Sequence, residues 1–159
     1  MANKGKYYES QFEEATIELL RETHWQYAFG DDIHRKYTDP LIEEDLRSFL
    51  ADQYKDKNLT SSEMDGIVAN LRNIGGQNDY YALRNTFLLY RDGYDFAYSD
   101  GRDNPFRLEY IDFKHPDHNI FRCVNQFVME QGRENRRPDI LLFINGGKEN
   151  ELKKFSESN

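Results

Sequence analysis

A single cysteine, Cys123, stands in 159 residues, so no disulfide forms within the chain and no set of thiolates can hold zinc. No apolar run approaches the ~18 residues that span a bilayer, and the opening MANKGKYYESQFEE lacks the apolar stretch of a signal peptide. A soluble, cytoplasmic protein that is not exported and has no membrane partner is therefore expected. Hydrophobic residues are sparse, at 38%, yet eleven Tyr, eleven Phe and one Trp supply large rings for burial, which argues against disorder. Basic charge is also short: 21 Lys and Arg face 29 Asp and Glu, for a net charge of −8. Such a chain repels a nucleic-acid backbone at long range and does not read as an autonomous, tight DNA binder. The shortfall is uneven. Residues 1–97 hold 11 basic and 18 acidic side chains, whereas 98–140 hold 7 and 8, so a contact with a polyanion should involve the last third. There is no repeat, low-complexity tract or internal linker, and the length suits one domain.

What is present reads as helices first and strands later. Ser10-Gln11-Phe12-Glu13 is a capping box, and Phe12, Thr16, Leu19 and Leu20 follow on one face, which predicts a helix over 9–23. Trp25 to Phe29 alternates as a short strand and ends at the turn cluster Gly30-Asp31-Asp32. Asp39 as a cap and Pro40 at the first helical position predict a helix over 40–54 with Ile42, Leu46, Phe49 and Leu50 as its stripe. A second capping box, Thr60-Ser61-Ser62-Glu63, starts a helix that Gly75-Gly76 stops. Asn78 or Asp79 caps another, closed by Gly93. The period then falls to two at 106–110 and, less cleanly, over 121–129, with a polar loop between them. Ile140 to Ile144 is a continuous apolar run suited to a strand buried on both faces, ending at Asn145-Gly146-Gly147. The expected fold is α+β, or mixed α/β, around one sheet, with 1–146 as the domain and 147–159 as a polar tail.

Asp139 opens the most hydrophobic strand, where a carboxylate is costly unless it pairs or holds a metal. Pairing with Arg136 or Arg137 would satisfy it. So would the arrangement of the PD-(D/E)xK nucleases: Pro-Asp, a buried strand, a turn, and Glu-x-Lys on the next strand. There two carboxylates hold Mg²⁺ and the lysine orients or activates the attacking water.

The segment Phe121 to Phe127 resembles F-x-V-x-N-Q-[FV] of the N-terminal region of the R subunit of type I restriction enzymes. Arg136 to Gly146 resembles that family's R-R-P-D-[IV]-[LV]-[LV]-F-[IV]-N-G, and Ile111 to Phe121 is similar to its I-D-F-x-x-P-x-x-N-x-F. With Phe12-Glu13, the resemblance covers about residues 9–146. It implies a restriction-endonuclease-like fold and the Mg²⁺-dependent endonuclease domain of a larger subunit. That subunit would cleave duplex DNA with methylation and specificity subunits and use ATP only through domains absent from this chain. Asp139, Glu151 and Lys153 would be catalytic, with Asp139, Glu151 and Glu13 on the metal. The family departs downstream, where Asn-Gly leads into an apolar strand roughly I-P-[LV]-x-[VLI]-I-E-[LFC]-K. Here Gly147 to Asn150 precedes Glu151-Leu152-Lys153, two residues closer to the aspartate. If Asn145-Gly146 or Gly146-Gly147 closes a two-residue hairpin, side-chain alternation turns Glu151 and Lys153 away from the face of Asp139, unless a bulge or an odd-length loop intervenes.

Other readings stand beside these. Glu13 also serves as the capping-box acid. Arg133, Arg136 and Arg137 form the one basic cluster, suited to a DNA phosphate or to a solvated or Asp-paired turn. Asn125 and Gln126 suit a phosphate, a metal-bound water or neighbouring backbone. His115 and His118 would bind a metal only in a helix, which Pro116 discourages, so a solvated loop is expected. Cys123 reads as a small core residue, and Tyr7-Tyr8 and Tyr80-Tyr81 as packing rings. Two non-enzymatic functions compete with cleavage: an acidic docking module for partner subunits, and a DNA mimic. Mimicry would require carboxylates aligned on a surface, whereas here they are scattered among caps and helix faces.

Overall fold

The computed structural model describes residues 11, 25–36, 39–75, 80–131, 134–136 and 140–148. The helix expected over 9–23 lies outside them, Gln11 apart, as do the caps Asn78 and Asp79. In chain order the described elements are β1 (Gln26–Phe29), α1 (Glu43–Gln53), α2 (Ser61–Gly75), α3 (Tyr80–Asp92), β2 (Tyr94–Phe96), β3 (Phe106–Leu108), β4 (Phe121–Asn125), β5 (Met129–Gln131), β6 (Glu134–Arg136), β7 (Ile140–Ile144) and β8 (Gly147–Lys148). This is the expected α+β fold. No helix among the described residues is long and apolar enough to cross a membrane.

The main sheet is mixed, in the order β1-β4-β7-β8. β1 runs parallel to β4, while β4 with β7 and β7 with β8 are antiparallel. The apolar run at 140–144 is thus an internal strand, as expected. The strands do not share one sheet, however: β2 with β3 and β5 with β6 form separate two-stranded ribbons. The strand expected over 121–129 is broken at Gln126, whose φ of 58° ends the ladder before the chain enters β5. Gly147 and Lys148, assigned to the polar tail on composition, are buried as β8.

The helix expected from Pro40 begins three residues later. Leu41 packs into the main core with Leu46, Phe49 and Leu50, whereas Ile42 packs against the sheet with Val124, Phe127, Leu141 and Phe143. An extended chain sends consecutive side chains to opposite sides, which a helical turn does not. Asp39 accepts from the Leu41 N–H at 3.1 Å and holds Arg72 at 3.0 Å instead of capping the helix. At the other end of the helical layer, Gly93 closes α3 with φ +67°, its N–H donating to Leu89. A Cβ there would lie 2.0 Å from the Leu108 carbonyl oxygen, so only glycine lets β3 approach.

The Thr60–Glu63 capping box forms as predicted. The Thr60 N–H donates to Glu63 at 3.0 Å and the Glu63 N–H to the Thr60 hydroxyl at 3.1 Å. The same carboxylate receives Arg102 at 2.5 Å, joining the start of α2 to the loop after β2. The Arg102 guanidinium, helped by the Thr60 N–H, pulls the Glu63 carboxyl from 4.5 down to about 2. A carboxyl depressed on folding stabilises above its unfolded pKa and loses that contribution as pH falls towards its folded value. Wild type should therefore exceed Glu63→Gln in denaturation midpoint at pH 7, and the gap should close between about pH 4.5 and 2. A gap that stays constant over that range would contradict this origin.

Candidate functional site

β7 begins at Ile140, which pairs with Asn125 at the end of β4, and Asn125 in turn lies beside Phe29 at the end of β1. This row, Phe29–Asn125–Ile140, is the sheet end that adjoins Asp139 in the chain. Beyond it the chain turns at Gln126 and buries Phe127 completely. Arg35 closes that turn. Its guanidinium lies 3.4 Å over the Phe127 ring and donates to the carbonyls of Val128, of Asp39 at 2.9 Å and of Lys36 at 2.8 Å. A planar cation can stack and donate in its plane at once, which a lysine cannot. No local pattern announces this role, because ring and cation are far apart in sequence.

Of the residues read from the sequence as the site, Asp139, Glu151, Lys153, Glu13, Arg133 and Arg137 lie outside the described residues. Arg136 is on β6, where it opposes Met129 in the ribbon with β5. Asn125 and Gln126 are half-buried at the sheet end, and Cys123 is half-buried on β4 rather than fully in the core. Tyr81, expected to pack, is 73% exposed on α3, while Tyr7 and Tyr8 lie outside the described residues.

A cleft of about 440 Å³ opens between α1 and the sheet, with Asp32, Glu44, Asp45 and Arg122 on its walls. Arg122 already forks onto Asp45 at 2.5 and 2.8 Å, and that carboxylate raises its pKa. With its guanidinium engaged and two further carboxylates beside it, the cleft does not suit a phosphate.

The far end of β7 carries a buried polar knot. Asn145 and Gly146 have φ of 51° and 84°, the paired positive values of a type I′ hairpin loop, and Ile144 faces Gly147 across it. Asn145 is wholly buried; its side-chain oxygen accepts from the Ile120 N–H at 2.6 Å. Its NH₂ donates to the Tyr110 carbonyl at 2.8 Å and to Asn119 Oδ1 at 2.9 Å. Asn119 in turn accepts from the Asp112 N–H at 2.8 Å and donates to the carbonyls of Asp112 at 2.8 Å and Pro116 at 3.1 Å. Gly146 accepts from the Ile42 N–H at 2.9 Å, and a Cβ on it would lie 2.3 Å from the Ile42 oxygen. Asp112, Asn119, Asn145 and Gly146, four residues of the motifs quoted above, thus hold segments together.

Sequence reasoning missed one group here. The loop is solvated as expected, with Lys114, His115, Asp117 and His118 exposed, but Pro116 does not leave it irregular. It takes the first position of a 3-10 turn, Pro116–His118, which brings His115 and His118 onto one side with their rings 4.8 Å apart. Both Nδ1 atoms face Asp112 Oδ2, at 3.3 and 3.0 Å. Burial alone would raise the Asp112 carboxyl, but donors from Gln53, the His115 N–H and the two rings hold it below its ordinary value. The signal was the proline itself, which opposes an α-helix before it but favours a helical turn after it.

A family model described as type I restriction enzyme R protein N terminus matches residues 6–148. No curated protein and no solved structure gave a match.

Asn145→Ala removes three side-chain hydrogen bonds and leaves a Cβ-bearing residue at positive φ without the asparagine's local compensation. Urea denaturation should show a loss of about 3–5 kcal/mol, from unsatisfied buried groups and backbone strain together. A loss under ~1 kcal/mol, the size of one ordinary net hydrogen bond, would mean that the knot is not what holds this end.

Proposed function

The chain belongs to the family of type I restriction enzyme R protein N termini, and from that membership we propose that it is the Mg²⁺-dependent endonuclease region of such a subunit. It would cleave duplex DNA in company with methylation and specificity subunits, with ATP used by other domains. The observation that carries the reading is the position of Ile140, which opens an internal strand of a mixed sheet and follows Pro138-Asp139 directly in the chain. Asp139 and Glu151, with Glu13, are the proposed hard oxygen ligands, Lys153 the group that orients the attacking water, and Arg133, Arg136 and Arg137 the phosphate contacts. A divalent ion held there supplies Lewis-acid stabilisation to the charge that develops on the phosphate oxygens. The DNA-mimic reading is disfavoured because many described carboxylates are neutralised in pairs, among them Asp39, Asp45, Glu63 and Asp95.

The family's Glu-x-Lys has to come from beyond Lys148. Counted through the two-residue Asn145–Gly146 loop, side-chain alternation opposes position 139 to 152. Glu151 and Lys153 thus reach the aspartate's face only through a bulge. The 159-residue chain alone, with net charge −8, should bind duplex DNA weakly and nick plasmid in Mg²⁺ hardly above background. Efficient nicking that disappears in Asp139→Ala would show that Glu151 and Lys153 already complete the site.

The direct test places Asp139→Asn in the R subunit carrying this region, assembled with its partner subunits, and measures cleavage and ATPase in one preparation. Loss of a charged metal ligand should lower cleavage by roughly 10²–10³-fold, several kcal/mol of transition-state stabilisation, while ATPase persists. Near-normal cleavage would remove Asp139, and with it the nuclease reading of this segment.

A further inference from the structure

Asp112, His115 and His118 take no part in the function proposed above, and their arrangement exceeds what the turn requires. One oxygen of Asp112 is enough to cap the 3-10 turn: Oδ1 accepts from the Lys114 N–H at 3.0 Å and the His115 N–H at 2.9 Å. Oδ2 is left facing the two imidazole Nδ1 atoms, with Gln53 Nε2 donating to it at 2.8 Å. We propose that Asp112, His115 and His118 form a binding site for a divalent transition-metal ion of the Zn²⁺ class.

The geometry meets the needs of such an ion. Zn²⁺ bonds His nitrogen and carboxylate oxygen at about 2.0–2.2 Å in a tetrahedron, which sets ligand atoms roughly 3.3–3.5 Å apart. The three ligand atoms here lie within 4.8 Å of one another, and each nitrogen is already 3.0–3.3 Å from the carboxylate oxygen. Small ring rotations complete the closure, and the rings have room for them: the His115 and His118 side chains are 61% and 47% exposed, against 7% for Asp112. The carboxylate is therefore the fixed point and the imidazoles are the movable arms. Exposure of both rings also leaves a fourth position for water. Two imidazoles to one carboxylate select Zn²⁺, Ni²⁺ or Cu²⁺ over Mg²⁺ and Ca²⁺, which prefer oxygen alone. Gln53 on α1 supplies the orienting hydrogen bond to the ligating carboxylate that such centres use.

The site also has a defined place in the scaffold. Asp112 and Asn119 bracket the turn, Asn119 binds Asn145 and Gln53 of α1 binds Asp112, so a metal there would stiffen a segment already tied to the polar knot and to α1. It lies at the end of β7 away from Ile140, so the inference does not depend on the nuclease reading.

The test uses the full 159-residue chain, freed of metal with a chelator and titrated with ZnCl₂ by calorimetry, with thermal unfolding in parallel. One ion should bind per chain with micromolar or tighter affinity, and the unfolding midpoint should rise with Zn²⁺ because the ion binds only the folded arrangement. His115→Ala and His118→Ala each remove a ligand from an exposed position, so the fold survives. Each should weaken binding ~100-fold or more, whereas Gln53→Ala should weaken it by roughly 10–100-fold. His34→Ala, outside the cluster, should leave binding unchanged. Absence of binding in the wild-type chain would overturn the proposal. Binding that persists in the double variant His115→Ala, His118→Ala would do so equally.

Discussion

One buried amide, the side chain of Asn145, holds three groups from two other parts of the chain at a single point: the Tyr110 carbonyl, and the Ile120 N–H with the adjacent Asn119 amide. Only a group that both donates and accepts can do this. A carboxylate lacks the donor, and an apolar residue would strip the Ile120 N–H and the Tyr110 carbonyl of this buried partner and leave Asn119 Oδ1 only the Asp112 N–H. The neighbouring Gly146 carries the same anchor to the N-terminal end of α1 through Ile42. Strand register, the entry of the chain into β4 and the seating of α1 all follow from this Asn-Gly pair. The two cores then fill in on either side, around Leu46, Phe49 and Tyr110 on one and Val124, Leu141 and Phe143 on the other.

That anchor changes the meaning of the motifs. Ile111 and Phe121 are buried in the main core, Asn119 and Asn145 satisfy backbone, and Gly146 is the residue whose positive φ and close approach admit no side chain. These positions maintain architecture. The chemistry proposed for the family rests on different residues, Asp139 above all, joined in the chain to the opposite end of β7. Scaffold and proposed catalysis thus occupy the two ends of one internal strand.

The features legible in the sequence were those coded within a few residues. The Thr60–Glu63 capping box, the apolar run of β7 and the Asn-Gly hairpin each depend on local spacing, and each appears in the structure. The features not legible depend on partners distant in sequence. Nothing local marks the break at Gln126, the three-residue strand β2 that needs β3, or the late start of α1, where Leu41 and Ile42 serve different cores. The histidines are solvated as expected, but their pairing was not legible, because it depends on the 3-10 turn that Pro116 opens rather than on an α-helix. Of the site, the aspartate's strand was legible as internal, whereas the carboxylates, Lys153, Arg133 and Arg137 lie outside the described residues.

Native-state hydrogen exchange tests the central role of the knot most directly. The N–H groups of Ile42, Asp112, Ile120 and Asn145 each donate into it or beside it. If the knot holds the fold, these four should exchange only through global unfolding, with one shared free energy equal to that of the slowest amides in β4 and β7. Exchange of Ile120 and Asn145 by local opening, while the strand amides stay protected, would show that the fold stands without it.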